Sequence, residues 1–351
     1  MKPRVAGGGS ARVERRPAPG WHLPIRGGSH PQLAEVQRSR LLAATIRAVD
    51  ELGSRNLSVS EITRHARVSR RTFYELFADR EACLLAALEG AVESVEKELA
   101  ALDLNGLGWC ERVRTGLWGI LSFFDREPAL ARACVVESLR GGTQILQARE
   151  RVLTRLVAVV DEGRGENSRL KESTDVTAEG VVGAALAILY TRLLRQDGER
   201  LSGLSGELMG MIVLPYLGPE AARREQKRRA PAPARAATAK PGSPDKLVGD
   251  PLEGVRIRLT YRTVRVVECV AARPGLSNRQ VGDAAGISDQ GQISKLLARL
   301  ERKGVLVNTG RGDHDGEPNA WCLTAIGERV AHSINSQPHE QPDEQREGAA
   351  A

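Results

Sequence analysis

Residues 66–77 read ARVSRRTFYELF and hold side chains suited to contact with a polyanion: adjacent guanidiniums, a threonine hydroxyl and a phenol. At about 100° per residue, Phe73, Leu76 and Phe77 share one helix face. Arg71, Thr72, Tyr74 and Glu75 project from the remaining arc, with Arg70 at its border near the helix start. The aromatics anchor the segment while the cations face outward. Upstream, SVSE at 58–61 predicts a capping box, with Ser58 as N-cap and Glu61 reaching back. Ile62 and Ala66 give that preceding helix its buried side, and Ser69 caps the next one. Two short helices joined by a tight turn, the second presenting cations and hydroxyls, form the arrangement with which a helix-turn-helix reads a major groove.

Flanking elements must position this pair. Leu42, Thr45, Ile46, Val49 and Leu52 form a helical stripe ending at Gly53, and Asp79 caps a long helix whose stripe runs from Leu84 to Leu99. The chain has 351 residues, 41% of them apolar, enough for two or three packed domains, with only 3% aromatic. The formal charge is +7, unevenly placed: the first forty residues carry eight Lys/Arg against two Glu, and 223–246 repeats the imbalance. Basic arms favour a polyanionic partner.

Cys83, Cys110, Cys134, Cys269 and Cys322 show no CxxC or Cys/His spacing, which points to a reducing cytoplasm and away from zinc or disulfides. The longest apolar run, VVGAALAILY at 181–190, is too short to span a bilayer, so no membrane role is expected. No nucleophile elbow, phosphate-cradling glycine loop or paired His/Cys ligands occur, so neither enzyme activity nor cofactor nor metal is expected.

The stretch SEITRHARVSRRTFYELFADREACLL, with the helix before it, resembles the DNA-binding domain of TetR-type transcriptional regulators. One departure is Arg67, where the family's turn usually carries glycine; if that position needs positive φ, arginine is strained there. The resemblance and position together assign base-edge or adjacent phosphate contacts to Arg70, Arg71 and Tyr74. They assign phosphate contacts to Ser58, Thr72 and Arg80, with Ser69 and Arg67 bordering the same surface.

In such regulators the following region is an all-helical effector-binding and dimerisation domain. AEGVVGAALAILYTRLL and ELMGMIVLPYLGPEAA look like the two helices that pair across the family's two-fold axis. This places Gly183, Ala184, Ala187, Leu193, Met209 and Ile212 at a homodimer interface. Trp109, Leu117, Trp118, Leu121 and Phe124 cluster in sequence and are candidates either for an apolar pocket or for plain core. A small lipophilic effector that alters half-site spacing, and repression as the default sign, follow from the resemblance.

Farther on, SNRQ at 277–280 predicts another capping box, GIS at 286–288 a turn, and a helix from about Asp289 to Lys303 follows. VLVN and AWCL read as strands around a polar loop, and Thr324 caps a last helix. The pattern resembles the winged-helix domains of MarR-like regulators. Its readers would be Gln292, Ser294, Lys295 and Arg299, with Arg311 at the wing tip in a minor groove; a protein-contact role for the same fold stays open.

The expected architecture is mainly α. It runs as a basic arm (1–37), a TetR-like three-helix head (38–84), a helical ligand and dimerisation domain (85–218), a basic Pro/Ala linker (219–253), a small α+β winged helix (254–334) and a polar tail (335–351). The expected partners are operator duplex DNA, the effector and a second copy, and the expected place is the cytoplasm, at the nucleoid.

Overall fold

The computed structural model describes residues 31–166, 176–195, 198–228, 249–310 and 318–335. The head comprises α1 (Pro31–Leu52), α2 (Val59–Ala66), α3 (Arg70–Leu76) and the start of α4 (Arg80–Ala100). Gly53 ends α1 at φ 76°, its N–H reaching Val49 O at 2.8 Å. Ser58 Oγ accepts from the Glu61 N–H at 3.2 Å. The reciprocal half of the predicted capping box is replaced, because the Glu61 carboxylate takes Arg64 Nε at 3.0 Å. Ser69 caps α3 through the Thr72 N–H at 3.0 Å, and Asp79 caps α4 through the Ala82 N–H at 2.8 Å. Leu41, Ile62, Ala66, Phe73, Phe77 and Leu84 are buried together. Phe73 is fully buried, which contributes roughly 1.5–3 kcal/mol.

The helical body continues through α5 (Trp109–Arg126), α6 (Pro128–Val135), α7 (Thr143–Asp161), α8 (Val176–Arg195) and α9 (Ser205–Lys227). Gly218, at φ 80°, breaks α9 beside Pro215 and Pro219. Two cores fill the body. Leu121, Phe124, Leu130 and Leu193 extend the core of the head, whereas Trp109, Val113, Val182, Met209, Ile212 and Tyr216 form a second one. By length and composition α8 and α9 are apolar enough to cross a membrane, contrary to the reading of short apolar runs. Their apolar residues are partly spent on these cores: Val182, Leu189, Met209 and Val213 are buried.

The C-terminal module comprises α10 (Tyr261–Ala272), α11 (Asn278–Ala285), α12 (Gln290–Arg302), β1 (Leu306–Asn308), β2 (Trp321–Leu323) and α13 (Ala325–Asn335). The strands pair antiparallel with Leu306 opposite Leu323. The predicted capping box of Ser277 and Gln280 is complete, and Thr324 Oγ1 accepts from the Gly327 N–H at 3.1 Å. Asn278 Oδ1 accepts from Trp321 Nε1 at 2.6 Å, tying α11 to the hairpin.

Two expected boundaries move. The first helix begins at Pro31, inside the stretch read as an arm, because Leu33 and Val36 are buried in the core of the C-terminal module with Val264, Val267 and Ile334. The linker is shorter than expected at both ends: residues 219–227 continue α9, and Leu252 is fully buried. Gln37 Nε2 donates to Leu259 O and Arg40 Nη1 to Ile257 O, each at 3.1 Å. Arg40 Nε lies 3.5 Å from Asp250 Oδ1, an ion pair without hydrogen-bond geometry. Burial lowers the Arg40 pKa, an effect opposed by Asp250 and reinforced by Arg67 and Arg47. Helix α1 therefore belongs to both units.

Candidate nucleic-acid interface

Helix α3 divides as its periodicity predicts. Phe73 and Phe77 are buried, while Tyr74 is 59% exposed and the Arg71 side chain 89% exposed. Arg71 Nε is held at 2.9 Å by Glu75 Oε1 one turn on, a pair that extends the guanidinium along the helix. The Tyr74 ring stands edge-on to Phe73 at 5.4 Å, so the phenol projects from a fixed base. Arg38 stacks over the Phe77 ring at 5.6 Å.

The neighbouring candidates divide by what they already bond. Arg70 Nη2 donates to Ser60 Oγ across the turn, and its side chain is exposed. Ser69 and Thr72 join their hydroxyls at 2.8 Å, and Ser58 and Ser69 serve as caps. Arg80 Nη1 donates to Leu57 O, so this guanidinium closes the loop before α2. Arg67 sits at φ 56°, ψ 36°, the left-handed conformation that the turn demands, with its side chain exposed.

Residues 41–87 match the family model for bacterial regulatory proteins of the tetR family. The head is a TetR-family helix-turn-helix domain. The transcriptional regulator HbdR of Aromatoleum sp. (strain CIB) is 26% identical over 145 residues, 41% of this chain and 58% of its own. The chain thus spans little more than half the length of that curated relative. Among solved structures, the fatty acid degradation regulator FadR from Bacillus halodurans aligns with TM-score 0.44 and 14% identity, over 54% of this chain and 96% of that one. A TetR family regulator from Marinobacter aquaeolei VT8 aligns with TM-score 0.43 and 21% identity, over 53% and 97%.

Beside the TetR-type head, α12 exposes Gln292, Ser294, Lys295 and Arg299. Gln292 Oε1 accepts from Arg262 Nη1 at 2.7 Å, and Ser294 Oγ accepts from Asn278 Nδ2 at 3.1 Å. Arg311 lies outside the described residues. The sequence reading missed Arg256 and Arg258. Both stand on an extended segment where Val255, Ile257 and Leu259 are buried and the arginines exposed. The alternation RIRL is the available signal.

The body corrects other assignments. Trp109, Leu121 and Phe124 do not line a pocket together: Trp109 packs on Tyr216 in one core and donates its indole N–H to Val159 O at 2.9 Å, while Leu121 and Phe124 are buried in the other. Leu117 and Trp118 are half-buried. A groove of about 590 Å³ lies instead between α6, α7 and α8, lined by Val135, Leu153, Val157, Val182, Leu186 and Arg149 among others. Gly183, Ala184 and Ala187 are exposed, whereas Leu193, Met209 and Ile212 are buried within the chain's own cores and present no free face. The exposed side of α8 carries Val176, Ile188 and Leu194 in their place. Burial pushes the Cys83 thiol up to about 11 and Cys134 to about 12, suppressing thiolate chemistry at both. Among the described residues no cluster of His, Cys, Asp and Glu suits a metal.

Proposed function

We propose that the chain is a dimeric, effector-responsive transcription repressor of the TetR type, with a C-terminal winged helix as a second DNA-contacting unit. One observation carries this reading: α3 presents Arg71 and Tyr74 to solvent from a fully buried Phe73 base. Such a helix inserts in a major groove without unfolding its own support. Exposed apolar and small residues on α8 support pairing with a second copy, which sets two reading helices on two half-sites.

The groove between α6, α7 and α8 suits an apolar effector. Its position gives a route to the head. Val135 and Leu139 line the groove, and between them the Glu137 carboxylate accepts from Ser54 N at 2.7 Å and Ser54 Oγ at 2.8 Å. Ser54 leads directly into α2, so a ligand that shifts this segment alters the presentation of α3.

Replacing Arg71 and Tyr74 together with Ala tests the reading. Selective binding to a duplex enriched from a random pool is expected to disappear, with the thermal midpoint and oligomeric state unchanged. Selectivity that survives the double substitution refutes the assignment of α3 as reader.

A further inference from the structure

A groove of about 520 Å³ runs between the TetR-type head and the C-terminal module, and no acidic side chain lines it. The head contributes Arg64, Arg67 and Arg70. The opposite wall contributes Arg256 and Arg258 from the extended segment, with Arg299 from α12 and Lys303 just past its end. Arg64 is partly neutralised by Glu61. No carboxylate partner is found among the described residues for Arg67, Arg256, Arg258, Arg299 or Lys303.

We propose that this groove is a clamp for the phosphate backbone of the duplex read by α3. This rests on the DNA-binding function proposed above and extends it to a site that neither helix-turn-helix forms alone. Unpaired cations held on facing walls repel one another, and a polyanion laid between them relieves that repulsion. The walls are built rather than incidental. The carbonyls of Ile257 and Leu259 accept the buried Arg40 and Gln37 side chains of α1, while the intervening Arg258 and the preceding Arg256 are left on the exposed side. The bonds that fasten the module to the head therefore also aim its arginines into the groove.

A run of phosphates fits better than a single small anion, because the cations are spread along both walls of an open groove. Ser69 and Arg70, at the start of the reading helix, belong to the same lining. A backbone lying in the groove is thus continuous with the segment that α3 would read. The clamp supplies affinity and salt dependence without sequence preference.

The test uses the full chain and two fluorescent duplexes about three helical turns long, one of random sequence and one enriched by selection. Arg256→Ala/Arg258→Ala is expected to make the slope of log affinity against log salt shallower by about 2, roughly one per lost phosphate contact. Affinity for both duplexes should fall by the same factor, leaving the preference between them intact. Lys303→Ala, just past the end of α12, should make the slope shallower by about 1 and leave that preference intact, and serves if the first variant folds poorly. An unchanged slope in either variant, once folded, overturns the clamp. If Arg71→Ala/Tyr74→Ala still removes selectivity in that case, the proposed function stands. Failure of the wild-type chain to bind either duplex overturns both.

Discussion

The short helix pairs α2–α3 and α11–α12 solve one turn with different residues. In the head α2 ends at Arg67 with φ 56°; in the C-terminal module α11 ends at Gly286 with φ 71°. Each is followed by a buried apolar residue, Val68 or Ile287, whose N–H reaches back five residues, to Thr63 O at 3.2 Å and to Gly282 O at 2.8 Å. The backbone demand is the same, but only the glycine meets it without a side-chain penalty. The arginine in the head costs about 1–2 kcal/mol of local strain and lines the basic groove. A strained residue at such a place is consistent with a charge retained for contact rather than for folding.

The comparison can be broken first at the joint between the units. Arg40→Ala removes the buried partner of Asp250 and the donor to Ile257 O. Loss of about 3–5 kcal/mol is expected, read as a lower denaturant midpoint. Hydrogen exchange should rise first in α10 to α13. A fully cooperative midpoint shift, with exchange rising equally in α2 and α3, would show that the two units unfold as one.

Smaller changes sharpen the comparison at the turns. Gly286→Arg gives the C-terminal turn the residue of the head and is expected to cost about 1–2 kcal/mol. Arg67→Gly is expected to gain about 0.5–1 kcal/mol, the relieved strain less the added freedom of the unfolded chain. The same substitution should weaken binding to random-sequence duplex in the salt titration. A gain in stability with no loss of binding would leave the strain of Arg67 without a functional return.

Much of the head was legible because its signals are local. Ser58, Ser69 and Asp79 cap where their spacing predicts, and the position of Phe73, Phe77, Arg71 and Tyr74 follows from helix angle alone. The body was less legible. A stripe of apolar residues says that a helix is buried but not against what, so Met209 and Ile212 were expected at the dimer face. Tertiary packing placed them in the core and left Ile188 and Leu194 outside. The aromatics of α5 were adjacent in sequence but served two different cores.

By itself the sequence determined the short helix pairs α2–α3 and α11–α12, their caps and the outward set of cations on α3, because each depends on neighbours within a few residues. Only the tertiary structure decided that Leu33, Val36 and Arg40 bind the distant module. It likewise brought Arg256 and Arg258 to face Arg67 and Arg70. Those contacts join residues more than 180 positions apart, and no periodicity within either segment encodes which surface will meet it.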